Sequence, residues 1–317
     1  MIDALWGWPP PVLDPAGPYA DSVTILAWAL FAMGMAVTGI VMAALWVAIK
    51  GPERWRANLG GERVIWIMGI FFPAVVLVAL LIWGLLLTAS LTQPITGKEM
   101  RIRVTGEMWW FRVAYLDGQG QSVMHDANEL HIPVNEPVVL ELQSADVIHN
   151  FWVPHLSGKM DMVPGRTNLL RIEADRPGRF GGVCAEYCGG PHALMGFVVI
   201  AHEPEAWQSW LRGRRERLDA ATATASVNRG RALFMESGCG ACHRVAGTQA
   251  NGLAGPDLSH VGSRYTLGAG ILPNHKGTMI GWIGDSQSIK PGNRMPSYDV
   301  LPAQDLDAIA TWLEAQK

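Results

Sequence analysis

No lysine or arginine precedes Lys50. A cleaved secretory signal carries positive charge ahead of its apolar stretch, so the expectation is that no such signal is present. Charge is scarce throughout: Asp, Glu, Lys and Arg make up 17% of the 317 residues, with a net charge of −3 and a pI near 6.3. That balance offers no basic surface for a polyanion, and no nucleic-acid partner is expected. Only four cysteines occur. They fall in two pairs, each inside a metal-type motif, so none is left over for a structural disulfide and their number does not report the compartment.

What is abundant is apolar. Hydrophobic residues make up 49% of the chain, and a mean hydropathy of +0.15 leans toward a membrane component. The length favours two or three domains over one core. Residues 22–49 and 64–91 contain no charged side chain, and each exceeds the ~20 residues that cross a bilayer. Two buried helices of a soluble core are the competing reading. Pro73 is expected to kink the second span or end its first turn. Lys50, Arg54, Arg56 and Arg63 crowd the loop between the spans, which places that loop in the cytoplasm and everything after Leu91 outside. Ahead of the spans, Asp14-Pro15-Ala16-Gly17-Pro18 reads as a turn-forming lead-in.

Residues 98–202 read as an all-β domain. Strand-like runs at 108–116, 129–134, 138–143, 168–174 and 194–202 are divided by Asp-Gly, Asn-Glu-Pro and Arg-Pro-Gly turns. A helical stretch at 203–218 and a small-residue linker, Asp219–Ser226, lead to a third unit at 227–317. There, 228–237 with Phe234 and 301–315 with Trp312 have helical patterns.

Two motifs carry chemistry. The first is Cys184-Ala-Glu186-Tyr-Cys188-Gly-Gly-Pro-His192-Ala-Leu-Met195. Cys and Met select copper or iron–sulfur chemistry and imidazole suits copper and zinc, so Met195 argues for copper. Two thiolates in one loop can bridge two copper ions, each capped by one His. Asp146-Val-Ile-His149 supplies the second imidazole at a strand end. A Cys184–Cys188 loop disulfide and a zinc site are the alternatives. The second motif, Cys239-Gly-Ala-Cys242-His243, has the c-type haem attachment spacing, with a redox pair or zinc site as alternatives. Its sixth iron ligand is expected from Met295, in the Pro/Gly-rich loop Lys290-Pro-Gly-Asn-Arg-Met, where a thioether raises the potential. Met279 is the rival, but 278–283 reads as a packing helix beside Trp282.

The Cys-x-Glu-x-Cys-x-x-x-His-x-x-Met pattern with its upstream Asp-Val-Ile-His resembles subunit II of the haem-copper cytochrome c oxidases. The resemblance implies a binuclear copper (CuA) centre held by His149, Cys184, the Glu186 carbonyl, Cys188, His192 and Met195. It also implies a Mg or Mn ion reached by the Glu186 side chain. The segment Pro154–Arg166 resembles the family stretch that faces subunit I. Gly106-Glu-Met-Trp109-Trp-Phe-Arg resembles the aromatic run that receives electrons, with Trp109 in its key position. The family usually has His or Gln before the first Trp and then Tyr-Trp, so the neighbours of Trp109 differ. Pro256 matches the proline whose carbonyl supports the proximal His. Glu62 resembles a glutamate at a proton-channel mouth, but the Trp-Thr-x-x-Pro pattern has slipped: Ile67 follows Trp66 and Pro73 comes seven residues later. A glutamate at the membrane interface explains Glu62 equally well.

The whole order resembles subunit II of the caa-type oxidases. The implied fold is multi-domain: a two-helix transmembrane hairpin within 1–97, an all-β cupredoxin-like domain at 98–202, a helix and linker at 203–226, and an all-α class I cytochrome c domain at 227–317. The implied function is electron relay from a donor through haem c and copper to the subunit that reduces oxygen. Implied partners are subunit I, subunit III, a donor (cytochrome c or a quinol:cytochrome c reductase) and membrane lipid, in a bacterial inner membrane with both redox domains periplasmic. A stand-alone membrane-anchored copper–haem carrier is the other reading. A quinol-oxidase subunit II lacks copper, and nitrous-oxide reductase does not match the two spans and C-terminal haem domain.

Overall fold

The computed structural model describes residues 11–92, 97, 99–216 and 225–317. The first ten residues of the expected lead-in, the domain boundary at 98 and linker residues 219–224 lie outside the described residues. Two compact units result: residues 21–96, and residues 1–20 together with 97–317.

The first unit holds the apolar helices. Pro18–Lys50 spans 33 residues at a hydropathy of 2.1, and Glu62–Leu91 spans 30 at 2.8, with none of the most apolar window of either buried by protein. A core helix of a soluble protein would be covered; these are apolar on every side, which suits a lipid surroundings. Both start slightly before the charge-free stretches, and Asp21 and Glu62 lie in their first turns, where a carboxylate meets the positive end of the helix. Pro73 does not simply end a turn. A π-helical turn, Ile67–Phe71, precedes it, and the α-helix resumes at Phe72 with Pro73 in its opening positions. The wider turn accommodates a residue that cannot donate a backbone hydrogen bond. A short helix, Glu53–Leu59, which the sequence reading leaves as loop, occupies the basic connection.

In the second unit ten strands make the β-region: β1 Met100–Glu107, β2 Trp110–Leu116, β3 Ser122–Ala127, β4 Glu129–Pro133, β5 Val138–Ser144, β6 His149–Phe151, β7 Met160–Met162, β8 Asn168–Ile172, β9 Gly178–Val183 and β10 Gly196–His202. They form a five-stranded sheet in the order β3-β2-β1-β5-β8, a three-stranded sheet β4-β10-β9, and the pair β6-β7. Alternation in β1 turns Ile102 and Val104 inward, while Arg101 and Arg103 pair with Glu141 of β5. That alternation with charge is why β1 escapes a hydropathy reading. Between the sheets, Phe111 packs against Phe197 at 4.7 Å and Phe151 against Phe197 at 4.5 Å. The lead-in is part of this body: Ala16 is buried, donates to the His155 carbonyl and accepts from Asp175 N.

Helix Pro204–Glu216 follows β10. The C-terminal region contains helices Ala225–Glu236, Lys276–Gly284, Ser286–Ile289 and Ala303–Glu314, with a small strand pair Thr266–Leu267 and Leu272–Pro273. Its core joins Phe234 and Trp312, 4.8 Å apart, to Val261, Ile283 and Ile309. The sequence reading gives this region a short linker and no preferred docking face. In the structure it is docked on the β-region. Asp126 of β3 is buried and accepts from Arg264 and Arg214, each at 2.7 Å. Nearby, Tyr265 N donates to Glu129 at 2.9 Å and Gly196 N to the Ala269 carbonyl at 3.0 Å.

Candidate metal and haem sites

The end of β9 and the start of β10 are antiparallel neighbours, and the twelve-residue connection between them, 184–195, carries the first motif. Cys184 N donates to the Met195 carbonyl at 3.0 Å, which closes the loop on itself. His149, fully buried at the start of β6, enters from the side. Its Nε2 bonds to Asp146 Oδ1 at 2.8 Å, leaving Nδ1 toward Cys184 Sγ at 3.9 Å. Asp146 is itself fixed by the Met108 and Val147 amides. Gly106 makes room for the ring, since a Cβ there would lie 2.8 Å from His149 Cγ.

The donors converge. Cys184 and Cys188 sulfurs are 3.8 Å apart, too far for a disulfide near 2.05 Å. Cys184 Sγ lies 3.2 Å from the Glu186 carbonyl; Cys188 Sγ lies 3.4 Å from His192 Nδ1 and 3.8 Å from Met195 Sδ. Each sulfur therefore has one imidazole nitrogen and one weaker donor within 4 Å. Soft sulfur, imidazole and thioether together fit copper better than zinc, to which a thioether contributes little. The Glu186 side chain is exposed, whereas both sulfurs are buried.

Protons are unevenly held. The contact with Cys188 and the His149 bond outweigh burial and bring the Cys184 thiol down to about 4. The same sulfur–sulfur contact and burial push Cys188 up. Burial opposes charge on His149, but Cys184 and Asp146 overcome it and raise its pKa. The pair thus carries one thiolate readily, and metal binding to both sulfurs must release the remaining proton.

At the second motif, Cys239–Ala241 form a 3₁₀ turn after Gly238, whose φ of 78° is a left-handed conformation. His243 Nδ1 donates to the Pro256 carbonyl at 2.8 Å, the support expected from the sequence. Burial, countered in part by that bond, lowers its pKa, so Nε2 is a neutral ligand atom. A Cβ on Gly255 would lie 2.6 Å from the His243 ring; glycine keeps the imidazole's place open. Met295 is half-buried against the core of the same region, its N–H on Asn293 Oδ1 at 2.8 Å and its carbonyl receiving Ser286 Oγ and Gln287 Nε2. Three residues on, Tyr298 hydrogen-bonds Cys239, which brings the Met295 loop to the Cys-x-x-Cys-His turn. Met279 is buried in the helix Lys276–Gly284 among core side chains. The paired thiols, the supported imidazole and the opened ring space fit a covalently attached haem.

Trp109 bonds both to the 184–195 loop and to a lysine of the C-terminal region. Its Nε1–H donates to the Cys188 carbonyl at 3.0 Å, while its own carbonyl accepts from Lys290 Nζ at 2.7 Å. Glu62 sits in the other unit as an exposed first-turn residue. Sequence reasoning missed Asp146 as the anchor of His149, and Lys290, Asp126 and Arg264 as junction residues. Only Asp146 has a sequence signal, its three-residue spacing from His149.

Residues 100–202 match the family described as cytochrome c oxidase subunit II, periplasmic domain, and residues 227–317 match cytochrome c. The chain is 35% identical to cytochrome c oxidase subunit 2 of Alkalihalophilus pseudofirmus, over 96% of this chain and 90% of that one. It is 28% identical to the Bacillus subtilis protein of the same name, over 96% and 91%. Among solved structures, the periplasmic domain of subunit II of cytochrome oxidase from Bradyrhizobium japonicum is similar at 30% identity, covering 37% of this chain and 94% of that one, with a TM-score of 0.33.

Proposed function

The chain belongs to the cytochrome c oxidase subunit II family, and from that premise we propose that it relays single electrons from a donor, through haem c and then a binuclear copper centre, to a haem in subunit I. The observation that carries this reading is the placement of Trp109, hydrogen-bonded to the carbonyl of Cys188 in the donor loop and held from the haem region by Lys290.

His149, Cys184, the Glu186 carbonyl, Cys188, His192 and Met195 would hold two copper ions, and Cys239, Cys242, His243 and Met295 would hold haem c. Bound there, the metals supply one-electron redox chemistry; the chain supplies geometry. Asp146 fixes the His149 tautomer and ring plane, a partner of the kind that tunes a metal's potential. Pro256 does the same for His243. The closed 184–195 loop and the edge-to-face and tilted cluster of Phe111, Phe151 and Phe197, in the same buried core as Cys184, Cys188 and Met195, keep the ligand frame rigid, so little reorganisation accompanies electron transfer. The exposed Glu186 carboxylate is the group available to a Mg or Mn ion shared with subunit I. Oxygen reduction belongs to subunit I. Subunit III and a cytochrome c or quinol:cytochrome c reductase donor complete the assembly. The two spans anchor the chain in a bacterial inner membrane, with the basic loop cytoplasmic and both redox regions periplasmic. Glu62, in the first turn of the second span, is a candidate for a proton-channel mouth or an ordinary membrane-interface glutamate.

The test is gentle purification of the tagged chain from membranes, followed by metal analysis and spectroscopy. The expected result is co-purification of a large haem-rich subunit, two coppers and one covalent haem per chain, and oxygen consumption driven by reduced donor. Isolation of the chain alone with the same cofactors would make it a stand-alone carrier; absence of copper would defeat the relay.

A further inference from the structure

The haem-region loop that carries Met295 is built around a buried lysine. Lys290 is 3% exposed, and burial brings its pKa down to about 7. Among the described residues no carboxylate pairs with it. Its ammonium instead donates to two backbone carbonyls from different parts of the unit, Trp109 O at 2.7 Å and Gly268 O at 3.1 Å. An ammonium buried with no carboxylate to pair with is costly, and the Cys188 sulfur offsets only part of the burial, so the two carbonyl bonds hold it in place.

The loop behind it is stiff. Asn293 Nδ2 donates to the Lys290 carbonyl at 2.8 Å and to the Ser286 carbonyl at 2.9 Å, and Asn293 Oδ1 accepts from Met295 N at 2.8 Å. Met295 and the donor loop are therefore linked residue by residue: Met295 to Asn293, Asn293 to the Lys290 carbonyl, the Lys290 side chain to the Trp109 carbonyl, and Trp109 Nε1 to the Cys188 carbonyl at 3.0 Å. Two further contacts follow the same loop. Arg294 lies 3.6 Å from Asp146, the residue that holds His149, and a Cβ on Gly292 would lie 3.8 Å from Pro191 of the donor loop.

We propose that Lys290 is a positioning residue that seats the Met295 loop on Trp109 and so fixes the contact through which electrons leave the haem region for the copper loop. The inference rests on the relay function proposed above. The reaction it serves is a single electron transfer: haem iron is oxidised by one electron, the copper pair is reduced by one, and no atom or proton changes hands. Lys290 touches neither metal ligand set; it acts through Trp109 and the loop.

The experiment compares the full chain in its oxidase complex with Lys290→Met, which keeps the stem and removes the donors, and with Lys290→Arg, which restores a charged donor. Three readouts are taken: the methionine–iron absorption band, amide exchange at Tyr265 and Gly196, and the rate at which flash-reduced haem c loses its electron to copper. Lys290→Met should keep the band, lose about tenfold or more of the exchange protection, and slow the transfer about tenfold or more, the loss expected for removing charge-assisted hydrogen bonds. Lys290→Arg should recover part of both. Unchanged exchange and rate in Lys290→Met would overturn the proposal. So would loss of the band, because Lys290 would then serve the haem loop's own fold. Wild-type chain lacking copper or haem signals would defeat the relay reading instead, while the exchange comparison would still decide the docking role.

Discussion

Neutralising Asp126 should release the haem region from the β-region. Asp126 is buried at the junction, between Arg214 from the helix after β10 and Arg264 from the haem region, each 2.7 Å away. Burial alone would raise its pKa; the two guanidiniums outweigh burial and hold it at about 2, below its ordinary 3.8. That difference corresponds to about 2 kcal/mol favouring the charged, packed form. Asp126→Asn does more than forfeit it, because two arginines with side chains 5% and 6% exposed then face each other without a counter-charge. Breaking such a pair from one side costs about 3–5 kcal/mol. Undocking lets Arg264 reach water, so the chain escapes the cost by opening the junction, and a loss of about 3 kcal/mol weakens docking roughly a hundredfold. Urea unfolding followed by tryptophan fluorescence and haem absorbance should show coincident transitions in the wild type and separated ones in Asp126→Asn. Adding Arg264→Met should bring them back together, since an apolar side chain tolerates the neutral partner. The sign with pH follows from the depressed value: the contribution is fully present above about 3.8 and is lost as pH falls toward about 2. Coincident, unshifted transitions in Asp126→Asn would refute the reasoning.

In a soluble fragment beginning near residue 98 and ending near 220, Cys188→Ser should lose the two-copper, mixed-valence state that the wild-type fragment shows by electron paramagnetic resonance; a single-copper hyperfine pattern in the wild type would refute the binuclear assignment. Met295→Ala should abolish the methionine–iron band and lower the haem potential, while Met279→Ala, in the packed helix Lys276–Gly284, should leave the band and instead cost about 2–5 kcal/mol of stability. Cysteines introduced between Lys50 and Arg63 should be shielded from impermeant thiol reagents in intact cells and those between 219 and 226 should react, the reverse pattern being incompatible with the positive-inside orientation.

How much of this was legible depends on whether a feature is written locally. The 184–195 motif is a single loop between paired strands, so its spacing alone brings two thiols, an imidazole and a thioether together. The Cys-x-x-Cys-His turn and the Pro256 support of His243 are local in the same sense. The spans are legible because lipid demands an uninterrupted apolar run. Strand β1 is hidden in the sequence because its outward positions are arginines that find Glu141 forty and thirty-eight residues away. Strands β6 and β7 are three residues each, too short for a period to declare itself.

The docking of the haem region was illegible for a related reason. Residues 227–317 contain eight basic and seven acidic side chains, a balance that suggests no preferred face. The structure separates what the sum conceals. Arg264, Lys290 and Arg294 are turned to the β-region, where they meet Asp126, the Trp109 carbonyl and Asp146. Partners such as Asp126 and Arg264 are 138 residues apart in sequence, beyond any spacing rule. This changes what a truncation after residue 220 tests. A carrier that only swings on a tether would leave an intact β-region behind, and its loss would be made good by soluble cytochrome c at high concentration. A docked carrier leaves Asp126 with Arg214 alone, strips Glu129 of the Tyr265 amide, and uncovers Trp109. Trp109, half-buried in the intact chain, should then become more open to an external donor. Truncation should therefore convert a first-order, concentration-independent transfer into a second-order one. It should also lower the stability of the β-region, an effect that tethering by itself does not produce.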